Sequence, residues 1–285
     1  MRYYLKIADF LFKQWGILRY ESEIAQILVL IMIQIKNLRK SYSLPDQKKS
    51  VNVLNDINLS IAKGELVTFF GPNGCGKTTL IKVISGIEPY DSGTILIDSK
   101  DPREAKIGLV FQNYSDSLMP WLNCWDNILF PYRLKKRKHQ ATEAQERLSN
   151  LLSELKIKLP FKNYPYQLSG GQQQLVAILR TLIYQPDVIL MDEPFSSLDY
   201  QTRSFMQSIL LDIWHREKPT ILFVSHDIEE AIFLADRLVL LSSIPATVRE
   251  VKKISFERPR NRELFETEDF FYIKRDCLYA IRSEI

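Results

Sequence analysis

The fold expected for this chain of 285 residues rests on one stretch, Gly71-Pro72-Asn73-Gly74-Cys75-Gly76-Lys77-Thr78. This stretch matches G-x-x-x-x-G-K-[ST], a loop that cradles phosphates when it joins a strand to a helix. The context fits, because apolar Leu66–Phe70 precede the loop and Thr78–Ile84 have helical spacing. In such a loop Lys77 reaches the β- and γ-phosphates, and the Thr78 hydroxyl holds Mg²⁺. The stretch therefore predicts a nucleoside triphosphate ligand, and alone it does not identify the reaction.

A second apolar strand, Val188–Met191, ends at Asp192 and is followed by Glu193. Because ligands of open α/β sheets lie at the carboxyl ends of the strands, Asp192 is expected beside Mg²⁺. Glu193 is then placed to polarise an attacking water as a general base. An exposed acidic turn before Pro194 is the alternative that these residues alone leave open.

The stretch Leu168–Gln172, Leu-Ser-Gly-Gly-Gln, stands at a predicted helix start, and Gln172 lies 20 residues before Asp192. Two glycines after Ser169 expose backbone N–H groups at the positive end of a helix, which suits a γ-phosphate. A helix capped by Ser169 without any ligand is the other interpretation. A simple P-loop kinase already has its phosphate loop and would leave this second anion site unexplained.

The rest of the chain alternates apolar strand segments with helical segments, which indicates a mostly parallel sheet covered on both faces. Residues 113–167 interrupt this alternation and are expected to be mainly helical. Hydrophobic residues make up 46% and charged residues 25% of the chain, which is typical of globular proteins. No apolar run is long enough for a membrane-spanning helix, which needs about 20 residues.

Taken together, these motifs resemble those of the ATP-binding cassette family, the ATPase subunits of ABC transporters, over residues 32–245. The resemblance implies the α/β fold of a P-loop NTPase of the ABC ATPase type, with a mostly parallel sheet core and an inserted helical subdomain at 113–167. It implies ATP and Mg²⁺ as ligands, and ATP hydrolysis coupled to transport. The implied nucleotide-binding residues are Tyr42 at the adenine, Gly71, Pro72, Asn73, Gly74, Cys75, Gly76, Lys77, Thr78, Thr79, Ser169, Gly170, Gly171 and Gln172. The implied catalytic residues are Glu193, His226 and Gln112, and the implied Mg²⁺ ligands are Thr78, Gln112 and Asp192.

The same resemblance implies two cassettes that associate head to tail, with ATP between the phosphate loop of one chain and Ser169–Gln172 of the other. A homodimer is the simplest arrangement for a chain with one cassette. Met119–Leu122 and Asp126-Asn127 are similar to segments of the nitrate, sulfonate and taurine importer ATPases, although pyrimidine-type and bicarbonate importers look alike at this level. This similarity implies uptake of a small anion or organic solute through an integral-membrane permease and an external solute-binding protein. We then expect a peripheral protein on the cytoplasmic face of the cell membrane, with residues 113–130 facing the permease.

Two other classes stay open: a soluble ABC ATPase acting on DNA or ribosomes, and a regulatory or division-linked cassette without a transported solute. The net charge of +4 arises within residues 1–40, which hold seven basic and three acidic residues. The remainder is neutral, so no nucleic-acid partner is expected. The three cysteines lack metal-binding spacing and fit a reduced compartment. Alkylation of Cys75 is expected to block ATP binding.

Residues 1–31 differ in composition from the rest of the chain, with six aromatic residues ahead of the apolar run Ile27–Ile33. Three interpretations stay open: a helix packed on the body, a helix lying on a membrane surface, and an extension that is not part of the native protein. We favour the third, with Met32 as the start, because the composition changes abruptly before a well-patterned strand. Residues 246–285 are mixed in charge and are expected to form a C-terminal appendage.

Overall fold

The computed structural model describes residues 31–44, 49–113, 117–134 and 139–282. The interpretations of the N-terminal extension fall on residues 1–30 and lie outside the described residues. Nine strands are formed by the described residues: β1 (Ile31–Leu44), β2 (Lys49–Ala62), β3 (Leu66–Phe70), β4 (Ser92–Ile97), β5 (Ile107–Val110), β6 (Val188–Asp192), β7 (Thr220–Val224), β8 (Arg237–Leu241) and β9 (Val248–Lys253).

Eight α-helices lie in the same part of the chain: α1 (Lys77–Ile84), α2 (Cys124–Ile128), α3 (Phe130–Arg133), α4 (Ala141–Glu154), α5 (Gly170–Ile183), α6 (Tyr200–Glu217), α7 (Ile228–Leu234) and α8 (Glu268–Arg282). Two short 3-10 helices, Pro165–Gln167 and Arg262–Glu266, complete the helical elements that the structure describes. Among these residues no helix combines the length and the apolar character needed to cross a bilayer.

The main sheet has the strand order β5-β6-β7-β3-β8-β9, and only its last pair, β8 and β9, is antiparallel. Every residue of β3, β6 and β7 is buried, because helices and the second sheet cover both faces. Full burial on both faces explains why these strands read as continuous apolar runs. Since β7 alone separates β3 from β6, the loop after β3 and the acidic residues after β6 meet at one edge of the sheet.

A second, antiparallel sheet of order β2-β1-β4 packs against the first. Ile33 and Ile35 of β1 share an apolar cluster with Phe69 of β3 and with Leu80 of α1. This packing fixes α1, and therefore the loop that precedes it, between the two sheets.

Residues 117–134 and 139–167 contain α2, α3 and α4 and no strand within these described ranges. Leu148 and Leu152 of α4 pack with Leu175 of α5 in a second apolar cluster. Trp125 meets Phe161 edge to face at 5.5 Å between ring centroids. The predicted α/β fold with a mostly parallel core and a helical insertion is confirmed, and the domain boundaries at 32, 113, 167 and 245 stay predictions.

The chain after residue 245 contributes to the body of the molecule. Ala246 donates to the Val53 carbonyl at 2.8 Å and accepts from the Asn55 amide at 2.9 Å, and β9 extends the main sheet. Phe270 and Cys277 of α8 are buried against residues of α7 and β8 in a third apolar cluster. The C-terminal segment is therefore anchored both by backbone pairing and by apolar contact.

Candidate functional site

The loop between β3 and α1 is shaped for close approach of an anion. Gly74 and Gly76 have φ of +76° and +113°, a left-handed conformation that glycine adopts readily. A Cβ on Gly76 would lie 2.8 Å from Val53 Cγ1. Gly76 also provides no side-chain cap to α1, so the first N–H groups of the helix face the loop as donors for a ligand.

The buried Lys77 side chain closes this loop on itself. Its Nζ donates to the carbonyl oxygens of Gly71 at 2.9 Å and Pro72 at 3.0 Å. The ammonium therefore lies inside the turn, where it is available to phosphate oxygens. Cys75 points the other way: its side chain is buried in the apolar cluster, and its Sγ lies 3.1 Å from the position of a Cβ on Gly71.

The predicted Mg²⁺ ligands Thr78 and Asp192 lie together, since Thr78 Oγ1 donates to Asp192 Oδ1 at 3.2 Å. Burial raises the pKa of the Asp192 carboxyl, and the Glu193 charge adds to the rise, while the hydrogen bond from Thr78 opposes it. The described residues contain no cluster of three or more His, Cys, Asp or Glu side chains suited to a metal. Hydroxyl and carboxylate oxygens nevertheless fit Mg²⁺ bound with a nucleotide, which takes one or two protein ligands and phosphate oxygens.

Glu193 and His226 form the second contact of the site. Glu193 Oε2 lies 2.9 Å from His226 Nδ1, and the Glu193 amide donates to the Val224 carbonyl at 3.1 Å. Glu193 has φ of +44°, which is uncommon for a residue with a side chain and typical of functional sites. This backbone turns the carboxylate from the end of β6 toward the residue after β7. The side chain of Glu193 is 19% exposed and that of His226 is 43% exposed, so the pair opens outward.

The stretch Ser169–Gln172 is a capped helix start on the surface. Ser169 Oγ accepts from the Gln172 amide, and Gln172 Oε1 accepts from the Ser169 amide, so the two residues form a capping box. Gly171 is required by packing, because a Cβ there would lie 2.3 Å from Thr202 Cγ2 of α6. No hydrogen bond within the described ranges joins this stretch to residues 71–79 of the same chain.

Tyr42 lies next to the phosphate loop, at the end of β1. Burial and a hydrogen bond to Glu88 raise the pKa of its phenol, and a hydrogen bond with Thr79 opposes the rise. The Lys40 ammonium lies 4.7 Å from the centre of the Tyr42 ring. Gln112 is exposed just beyond the carboxyl end of β5, and no hydrogen bond within the described ranges joins it to Thr78 or Asp192.

Sequence reasoning missed a buried polar network behind His226. Glu230 accepts hydrogen bonds from Ser225, the residue directly before His226, and from Gln207 of α6. The available signal was a carboxylate in the apolar helix Ile228–Leu234, where an unpaired charge would be costly. Arg258 and Arg260 were also missed as structural residues, because a polar tail gives no indication of which carbonyls its arginines reach.

Comparison with known proteins gives a family match and several similar relatives. A family model described as ABC transporter matches residues 54–196. An ABC transporter ATP-binding protein of Methanocaldococcus jannaschii, described as uncharacterized, is 39% identical over 258 residues, covering 90% of this chain and 93% of that protein. The aliphatic sulfonates import ATP-binding protein of Bacillus subtilis is 39% identical, covering 79% of this chain and 86% of that protein. The taurine import ATP-binding protein of Escherichia coli is 41% identical, covering 80% and 86%.

Solved structures agree with these matches. A dimeric ATP-binding cassette in a post-hydrolysis state, bound to ADP and phosphate, has a TM-score of 0.64 and 28% identity, covering 79% of this chain and all of that one. A cassette from Clostridium perfringens that is part of an ABC transporter complex has a TM-score of 0.68 and 26% identity, covering 87% of this chain and 95% of that one. The family match over residues 54–196 spans both the phosphate loop and the helical insertion.

Proposed function

The chain belongs to the ABC transporter family, and on that premise we propose that it is the ATP-hydrolysing subunit of a membrane importer for a small sulfonate-type solute. It binds ATP, as the family does. The observation that carries the chemistry is the placement of two contacts, Thr78 with Asp192 and Glu193 with His226, at neighbouring strand ends.

ATP binding rests on residues 71–79. The N–H groups of the loop and of the start of α1 donate hydrogen bonds to the phosphate oxygens, and Lys77 exchanges its two carbonyl partners for phosphate oxygens. Tyr42 offers its ring to adenine from beside Thr79. Thr78 and Asp192 would hold Mg²⁺, with Gln112 as a third predicted ligand, and the ion when bound neutralises charge on the phosphates.

Hydrolysis then requires a base and a positioned water. Glu193 accepts a proton from the water while the water oxygen attacks the γ-phosphorus. The bond between the γ-phosphorus and the β–γ bridging oxygen breaks, which leaves ADP and phosphate. His226 holds the Glu193 carboxylate through Nδ1 and presents the rest of its exposed ring to the phosphate side.

A second copy of the cassette completes the site. Ser169 and Gly170 are exposed at the positive end of α5, and no hydrogen bond among the described residues joins Ser169–Gln172 to residues 71–79 of the same chain. We therefore assign it to the γ-phosphate of a partner chain in a homodimer. The dimeric relative bound to ADP and phosphate supports this assembly.

The importer role is supported by the relatives named for sulfonate and taurine import. Trp121 is 69% exposed in the predicted permease-facing stretch, whereas Trp125 packs on Phe161. An exposed tryptophan in this stretch suits contact with an integral-membrane permease on the cytoplasmic face. A solute-binding protein outside the membrane would supply the solute.

Co-purification tests this proposal. The tagged full chain is extracted with its membranes in mild detergent, and bound proteins are identified by mass spectrometry, with Trp121→Ser as the matched variant. A multi-span permease that is recovered with the wild type and lost with the variant supports the importer role. A dimer alone, or one with nucleic-acid machinery, contradicts that role and leaves the ATPase assignment standing.

A further inference from the structure

A chain of hydrogen bonds links the C-terminal segment to the residue before His226. Arg262 Nη2 donates to Gln207 Oε1 at 2.6 Å, and Gln207 Nε2 donates to Glu230 Oε1 at 2.7 Å. Ser225 Oγ donates to the second carboxylate oxygen of Glu230. Three segments that are distant in sequence, at Gln207, at 225–230 and at Arg262, thus meet in one line of polar contacts.

The middle of this chain is sealed from solvent. Gln207 is 2% exposed, Glu230 7% and Ser225 0%. Inside a protein, a donor or acceptor that loses its partner costs free energy, and linked hydrogen bonds strengthen one another. The arrangement is therefore rigid, and it has one external member, Arg262, which lies over the rings of Phe233 and Phe265 at 5.0 and 5.2 Å.

The same segment holds the far end of α7, the helix that starts just after His226. Arg260 donates to the carbonyls of Ile232, Phe233 and Ala235, and Arg258 donates to that of Leu234. These are carbonyls that the end of a helix leaves without intrahelical partners, and cations are favoured there. Residues 258–262 thus contact the C-terminal end of α7 directly and its N-terminal end through Gln207.

We propose that residues 258–262 set the position of His226 against Glu193, with Arg262, Gln207 and Glu230 as positioning residues for hydrolysis. The proposal rests on the hydrolytic role proposed above for Glu193 and His226. Ser225 Oγ also accepts a hydrogen bond from the Asp227 amide at 3.0 Å, so the position of this hydroxyl is coupled to the backbone on both sides of His226. Hydrolysis is sensitive to shifts of this backbone, since a misplacement of about 1 Å can cost on the order of 10²-fold in rate.

The kinetic test compares Arg262→Met and Gln207→Met with Lys274→Met in the full chain. Methionine keeps apolar contact at each site and removes the donor. Lys274 is the matched control, because it also joins the C-terminal helix to α7, through Glu229 at 2.6 Å, without touching the buried chain. We expect kcat to fall about tenfold in both test variants with KM for ATP within about twofold, and to be unchanged in the control.

A spectroscopic test reports position directly. The chain has three histidines, so ¹⁵N-labelled imidazole signals can be assigned by single substitutions. We expect Arg262→Met to shift the Nδ1 signal of His226 and to leave that of His139 in place, with partial restoration in Arg262→Lys. The lysine variant also serves if the methionine variant does not fold.

The outcomes distinguish the positioning role of residues 258–262 from the hydrolytic role proposed for Glu193 and His226. An unmoved His226 signal together with control-like kcat overturns the positioning role, whatever His226 does in hydrolysis. Equal losses in Lys274→Met and Arg262→Met also overturn it, because general loosening of the C-terminal helix would then suffice. If His226→Ala retains full kcat, the hydrolytic role fails, while the imidazole signals still decide whether Arg262 positions that ring.

Discussion

The Thr78 hydroxyl donates to the Asp192 carboxylate at 3.2 Å although the two residues are 114 positions apart in the chain. The contact joins the first turn of α1 to the end of β6 across one intervening strand. It places a hydroxyl and a carboxylate oxygen at the edge of the sheet where the phosphate loop opens, and these two oxygens would hold the Mg²⁺ proposed above.

Asp192→Asn separates the stability of the fold from its activity. Burial holds the pKa of Asp192 above its usual value of 3.8, so ionisation of this group destabilises the folded state at neutral pH. We expect ATPase activity to fall on the order of 10²-fold or more. We expect Tm to rise, by about 2–4 °C for each kcal/mol gained in the free energy of unfolding when the buried charge is removed.

The sign of this effect can be checked by pH. A carboxyl group whose pKa is higher in the folded state than in the unfolded state contributes its full stabilisation when the pH is below the unfolded-state pKa. This contribution is lost as the pH rises through the folded-state pKa. The Tm advantage of Asp192→Asn should therefore shrink as pH falls toward 3.8. Asp212→Asn, at an exposed carboxylate, is the control and should leave Tm nearly unchanged. A wild type more stable than Asp192→Asn at neutral pH would contradict the burial argument.

Glu193→Gln should retain ATP binding and lose hydrolysis. Glutamine keeps the shape of the side chain and cannot accept the proton from water, so kcat should fall on the order of 10²–10⁴-fold. The ATP-bound dimer should then accumulate, which size-exclusion chromatography with light scattering would detect. Gly170→Asp, at an exposed position of the same stretch, adds a like charge to the proposed phosphate contact and should prevent that accumulation. A Glu193→Gln chain that stays monomeric with ATP would contradict the head-to-tail site.

Gly171→Ala should destabilise the packing of α5 against α6. Its Cβ would meet Thr202 Cγ2 at 2.3 Å, so packing must shift, and overpacking of this kind costs about 1–3 kcal/mol. Thr202→Ser removes the opposing methyl group. The double variant should recover most of the lost stability in urea unfolding, whereas equal losses in the single and double variants would exclude this contact as the cause.

The three cysteines should react slowly in the folded protein. Burial raises the pKa of Cys75 above its usual 9.0, that of Cys124 to about 12 and that of Cys277 to about 11, which depletes the reactive thiolates. Colour development with a disulfide reagent should therefore report few thiols in the native chain and three after denaturation. The expected block of ATP binding by Cys75 alkylation should appear only after long exposure. Rapid native reaction at Cys75 would contradict its inward orientation.

Local sequence predicted the strands and helices of the main body well, because apolar runs bounded by turns determine them directly. The meeting of Thr78 with Asp192 followed from the rule that parallel strands end at a common edge. The Arg262–Gln207–Glu230 contacts could not be predicted, because they depend on how a polar tail folds over α6 and α7. The pairing of β1 with both β2 and β4 was also missed, since register between strands is a property of distant residues.

The carbonyl contacts of Lys77 make triphosphate binding a competition within the protein itself. The Gly71 and Pro72 carbonyls already accept hydrogen bonds from the Lys77 ammonium. The affinity for a nucleotide therefore depends on how much better phosphate oxygens are as acceptors than two neutral amide oxygens. A nucleoside without β- and γ-phosphates offers no phosphate oxygens to replace those carbonyls as acceptors for the ammonium. Discrimination against nucleosides that lack these phosphates therefore follows from the contacts of Lys77, before any partner chain or membrane protein takes part.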